Sequence, residues 1–177
     1  MSDLHRAEYE RRIAAGDFQG QRVELISGSV ITRRPQGAFH FEVVSRLARL
    51  LDRRLGDRAD VRSQGPLALA DDSEPEPDVM VIPPGDYRHE LPRTAWLVIE
   101  VAATSANDDR SIKGRLYARA GVPEYWLVDL AASVVEVYTA PDGGVYTRMM
   151  RAGRADVLRP VAVEGVEIGV GEFLPAD

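Results

Sequence analysis

The chain contains no cysteine, which excludes a disulfide framework and any thiolate-ligated zinc. Lysine is nearly as scarce, since Lys113 is the sole one and the remaining basic residues are arginine and three histidines. No apolar run approaches the roughly 20 residues of a membrane span; Trp96–Ile99 and Tyr125–Val128 are strand-sized. The opening Met-Ser-Asp-Leu-His-Arg lacks the apolar core of a secretory signal, so a cytoplasmic location is expected. A basic excess is missing too. The net charge of −6 argues against a broad phosphate-binding face, where affinity comes largely from Lys and Arg.

What remains is ample for a core: 177 residues, 45% of them hydrophobic, read as one domain over residues 1–177. Charge is uneven along it. Arg46, Arg49, Arg53, Arg54, Arg58 and Arg62 crowd one segment and define a local basic surface, while acids crowd Asp71–Asp78. The single lysine has two readings. Either it survives by chance, or it sits where a compact ammonium is required and a planar guanidinium does not fit.

Ser2 or Asp3 can cap a first helix reaching Ala15, with Gly16 as its stop. Residues 22–26 and 29–32 are β-prone runs around Ser27-Gly28 and read as a hairpin. From Ala38 to Leu55, the residues Phe41, Val44, Leu47, Ala48, Leu51 and Leu55 recur at helical spacing, giving an amphipathic helix with an Arg-rich outer face. A strand kinked at Gly65-Pro66 is expected over 61–69, then a loop broken by Pro75 and Pro77. Asp78–Ile82 and Trp96–Ala102 read as buried strands, the second of them central. Asp109–Ala120 reads as a helix closed by Gly121, followed by a buried strand over 124–129 and a hairpin of 134–138 with 145–150. The order implies an α/β fold, a mixed sheet flanked by helices.

Two carboxylates interrupt the apolar strands. Glu100 stands between Ile99 and Val101, and Asp78 opens the preceding run. A buried ionised carboxylate costs several kcal/mol unless a cation or good hydrogen bonds offset it. A divalent ion would give such a pair a purpose, and oxygen ligands suit Mg²⁺ or Mn²⁺ better than zinc. The plainer reading makes each acid a capped or ion-paired strand end. Asp109, Lys113 and Tyr117 lie four apart and share one helix face. That stripe is either a solvated ion pair or a polar face aimed at the two acids.

Glu74–Val79, then Leu97–Val101, then Asp109, Lys113 and Tyr117, then Ala120–Asp129 together resemble the Uma-two family of endonucleases. That family lies within the PD-(D/E)xK restriction-endonuclease-like superfamily, and the likeness spans Val23 to Tyr138. It implies a metal-dependent nuclease hydrolysing DNA phosphodiesters, with Mg²⁺ or Mn²⁺ as cofactor. Asp78, Glu100 and the Val101 carbonyl would hold the metal. Position 102, where the superfamily motif carries lysine, is Ala102, and the resemblance moves that role to Lys113 on the following helix. Glu24 is implied as an additional acid near the metal, or else an outward strand residue. His40 matches a family histidine and is equally readable as a core or cap residue, while Gln64 is a candidate for the cleft wall. By analogy with nucleases that cut duplexes, a two-fold homodimer is expected. Two rival readings stay open. One is a degenerate nuclease fold that only binds nucleic acid or protein; the other is a metal hydrolase of smaller phosphoesters.

Overall fold

The computed structural model describes residues 4–33, 35–103 and 109–174; the side chains of residues 109 and 110 also lie outside that set. The first helix, α1, runs Arg6–Ala15 and ends at Gly16, whose φ of 84° is the left-handed stop glycine provides. Ser2 and Asp3, the expected caps, fall outside the described residues, and His5 occupies the cap position without a side-chain hydrogen bond.

Strands β1 (Val23–Ile26) and β2 (Ser29–Thr32) form the expected hairpin as a separate two-stranded sheet. Its turn residues Ser27 and Gly28 both have positive φ, 47° and 74°, the handedness that matches strand twist. The hairpin docks through backbone bonds between Leu25 and Glu74, at 2.7 and 3.3 Å. Glu74 itself is only 7% exposed. Burial first, then the neighbouring Glu10, pushes its carboxyl up from 4.5 to about 7.

That shift has a definite sign. Between pH 4.5 and 7 the unfolded chain loses a proton that the folded chain keeps, so stability falls as pH rises across that window. Glu74→Gln removes the group. Its stability should therefore gain on the parent's as pH climbs from 5 to 8, by on the order of 1 kcal/mol after solvent screening. A gap that stays constant with pH in thermal melts would contradict this.

Helix α2 spans Ala38–Leu55 and buries His40, Val43, Val44, Leu47, Leu51 and Leu55. Phe41, expected on that stripe, is 62% exposed. It is one residue, and so about 100°, away from His40, and the histidine takes the inward position. Strand β3 is Asp60–Ser63, shorter than expected because Gln64 adopts φ 53° and turns the chain out of the sheet.

The main sheet has six strands in the order β3-β4-β5-β6-β7-β8, with β4 at Val79–Ile82, β5 at Leu97–Ala102, β6 at Glu124–Asp129, β7 at Val134–Asp142 and β8 at Val145–Ala152. β5 and β6 are parallel; the other neighbours are antiparallel. Every residue of β5 is buried, as expected of a central strand. One face of the sheet carries Val79, Val81, Leu97, Ile99 and Val101 against α2. The opposite face carries Met80, Ile82, Val98, Ala102, Tyr125 and Leu127 against Tyr117.

Tyr117 belongs to α3, Gly114–Arg119, which continues from a π-helical turn over Asp109–Lys113. The sequence implied one unbroken α-helix here; the wider turn is the correction. Strands β9 (Val157–Leu158) and β10 (Ile168–Gly169) and helix α4 (Val170–Phe173) complete the chain, and α4 packs on α2. Among the described residues, no helix is long and apolar enough to cross a membrane.

Candidate functional site

Strand pleating decides which acids can meet. β4 pairs Val79 with Ile99, so Asp78 and Glu100 are the next residues opposite each other at the end of β4. Alternation places them on the face of Met80 and Val98, the one that α3 covers. Both are buried, at 0% and 1% exposure.

Asp78 is held from three elements. Its Oδ2 accepts the Val101 N–H at 2.9 Å and lies 3.0 Å from His40 Nε2 of α2, while Oδ1 accepts from Gln36 Nε2 at 3.3 Å. Burial pushes this carboxyl up, but the His40 bond, the Arg33 charge and the Val101 N–H together outweigh it. Asp78 is held below the usual carboxylate range.

Glu100 Oε1 accepts two donors from the third helix region, Lys113 Nζ at 2.8 Å and the Tyr117 hydroxyl at 2.7 Å. Their spacing of four residues puts both over one oxygen. Burial, followed by the charges of Glu100 and Glu24, raises the Tyr117 phenol well above its ordinary range. It therefore stays a neutral donor. Lys113 Nζ also lies 3.3 Å from Glu24 Oε2.

Glu24 reaches the cluster because β1 turns its side chain inward, where it is 2% exposed. Its Oε1 accepts the Glu76 N–H at 2.8 Å and Arg33 Nη1 at 2.9 Å. The outward reading of Glu24 is corrected by that burial. His40 is buried as well, yet its Nε2 is spent on Asp78, which separates it from an ordinary core histidine.

Gln64 is one residue further out. It donates to Gln36 Oε1 at 3.2 Å, and its backbone N–H is shared between the carbonyls of Pro77 and Asp78. Its left-handed φ is the kind of local strain that collects at functional sites. The Asp109 side chain falls outside the described residues, so its expected place on the Lys113–Tyr117 face is not described.

Sequence reasoning missed two members, Arg33 and Gln36. Arg33 is the hub of the cluster. Besides its bond to Glu24, its Nη2 lies 3.6 Å from Asp78 Oδ1 and 3.7 Å from Glu100 Oε2. Burial opposes its charge, but Glu100, Glu24 and Asp78 outweigh that and hold its pKa above the usual range. In a chain this rich in arginine, nothing marked this one out. Gln36 carried no signal either, being a lone amide in a Pro/Gly-containing connection.

The expected basic surface is largely spoken for. Arg46 bonds Glu42, Arg54 bonds Glu172 and the Glu167 carbonyl, and Arg58 bonds the Glu164 carbonyl. Arg62 lies over the Tyr87 ring.

The donor chemistry can be weighed against a divalent ion. Among the described residues, no three or more His, Cys, Asp or Glu side chains are arranged to hold one ion together. What does converge is a pair, since Asp78 Oδ1 and Glu100 Oε2 face the same guanidinium nitrogen. Two hard carboxylates facing one cationic point fit Mg²⁺ or Mn²⁺, ions that keep several water ligands and take one or two carboxylates from a protein.

A mixed sheet flanked by helices, with acids at adjoining ends of β4 and β5, is the restriction-endonuclease-like fold. A putative nuclease belonging to DUF820 from Anabaena variabilis ATCC 29413 shares it, at a TM-score of 0.71 and 16% identity, over 87% of this chain and 90% of that one. No curated protein matches the chain in sequence. The family profile Uma2, described as a putative restriction endonuclease, matches residues 6–171, and the chain belongs to that family.

Proposed function

We propose that this protein hydrolyses phosphodiester bonds in DNA with the help of Mg²⁺ or Mn²⁺. The observation that carries the reading is the convergence of Asp78 and Glu100 on one cationic point, with Lys113 Nζ 2.8 Å from Glu100. The family and the shared fold support a nuclease.

Asp78, Glu100 and the Val101 carbonyl would hold the ion, which when bound supplies Lewis-acid polarisation of the scissile phosphate. The protein's own groups do the positioning. The Val101 N–H and His40 fix one oxygen of Asp78, leaving Oδ1 toward the convergence point. Tyr117 and Lys113 together fix Oε1 of Glu100, leaving Oε2 toward the same point. The Lys113 ammonium, held between Glu100 and Glu24, places a full positive charge beside the reacting phosphate, where it stabilises charge that develops in the transition state.

Plasmid, single-stranded DNA and mononucleotide phosphoesters, incubated side by side with and without Mg²⁺ or Mn²⁺, test the reading. Cleavage of a DNA substrate that requires the ion is expected. Hydrolysis confined to the small phosphoesters would move the protein to that substrate class. Binding without cleavage of any of them would leave the fold as a recognition module.

A further inference from the structure

We propose that Arg33 is an internal counter-ion occupying the point where the divalent ion would bind, so that metal entry requires its guanidinium to leave. The inference rests on the metal-dependent reading above. It concerns a residue that neither the sequence pattern nor the nuclease assignment uses.

The geometry is specific. Arg33 Nη1 bonds Glu24 at 2.9 Å, and Nη2 stands almost equally far from Asp78 Oδ1 and Glu100 Oε2, at 3.6 and 3.7 Å. Those two distances are too long for good hydrogen bonds and suit charge attraction across a shared space. An ion coordinated by both oxygens has to lie within reach of each, in the space that Nη2 faces from nearly equal distances. The two cations therefore compete for one position.

Charge supports exchange over coexistence. Among the described side chains, Glu24, Asp78 and Glu100 face two permanent cations, Arg33 and Lys113. Replacing Arg33 by a doubly charged ion brings these described charges into balance. Adding the ion beside Arg33 would set two cations against each other in a buried pocket, which low-dielectric surroundings penalise. Of the three, Arg33 is also the side chain nearest solvent, with 13% exposure against 1% each for Asp78 and Glu100.

The guanidinium offsets the mutual repulsion of three buried acids that share one pocket. Arg33 holds the acids ready at a cost in metal affinity. Removing it should then strengthen metal binding, the opposite of what loss of a supporting residue does.

Mn²⁺ titration followed by calorimetry, with the signal of free Mn²⁺ as a parallel readout, tests this on the full chain. Arg33→Gln should bind Mn²⁺ about tenfold more tightly than the parent. Arg33→Lys keeps the charge and should stay near the parent. Thermal melts give a second readout: Arg33→Gln should melt lower without ion and gain more from added Mn²⁺. Should Arg33→Gln fail to fold without ion, folding rescued by Mn²⁺ supports the exchange, and failure of Mn²⁺ to rescue it overturns the exchange. Binding equal to or weaker than the parent's overturns the role of Arg33 and leaves the metal reading intact. Absence of Mn²⁺ binding in all three proteins overturns both.

Discussion

Asp78→Asn should abolish ion-dependent cleavage, a loss of more than about a hundredfold. Outer contacts to a metal cost roughly 10- to 100-fold when removed, so a direct ligand costs more. Asparagine keeps the shape of the side chain and one oxygen but loses the charge. The Val101 N–H and His40 together ask for an acceptor at Oδ2. An asparagine oriented to satisfy them turns its NH2 toward the convergence point, where it repels a cation. The folding cost is about 1–3 kcal/mol for the donor contacts left imperfect, so a thermal melt confirms that the variant is folded under assay conditions. Glu100→Gln should behave alike, because the Lys113 and Tyr117 donors both rest on its Oε1. Rates from single-turnover cleavage, compared with the parent at saturating Mn²⁺, check both. Parent-like cleavage by folded Asp78→Asn would remove Asp78 from the site.

Lys113→Met should lower cleavage by about 100- to 1000-fold, the range seen when one donor to a developing negative charge is deleted. Lys113→Arg should not restore it. The ammonium sits 2.8 Å from Glu100 and 3.3 Å from Glu24 in a position only 8% exposed. A planar guanidinium is wider, presents its donors as a fixed fork, and would meet Arg33 across the same acids. The loss should fall on kcat, because the role proposed for the amine is to stabilise charge that develops in the transition state. Mn²⁺ affinity measured in parallel separates this from a lost metal site. Lys113→Arg at parental rate would show that any cation suffices there.

Much of this was legible in the sequence because the site breaks the patterns around it. Glu100 stands in an otherwise apolar strand, Asp78 follows a proline at a strand start, and Lys113 is the only lysine. Each is a polar group whose burial needs a reason, and the structure brings all three together with Glu24. What stayed hidden has physical causes. Arg33 and Gln36 lie in a connection without periodicity, and their roles come from hairpin docking, a long-range event fixed by the Leu25–Glu74 bonds. The π-helical turn before α3 leaves no mark in apolar spacing over five residues.

The segment Ala120–Asp129, part of the resemblance to the family, is structural in its described contacts. Glu124 accepts the Trp126 indole N–H and the Val161 N–H, each at 2.6 Å, tying β6 to the chain that follows β9. Tyr125 is fully buried and packs against Tyr117, Tyr138 and Tyr146. Tyr125 thus backs the ring whose hydroxyl holds Glu100. Its link to the chemistry runs through packing.

Anomalous diffraction from a crystal soaked in Mn²⁺ measures the claim on which the rest depends. One strong peak is expected within about 2.5 Å of both Asp78 Oδ1 and Glu100 Oε2, with the Arg33 guanidinium withdrawn from the two acids. A crystal saturated with Mn²⁺ that shows no peak there, with Arg33 still bridging the acids, would contradict it.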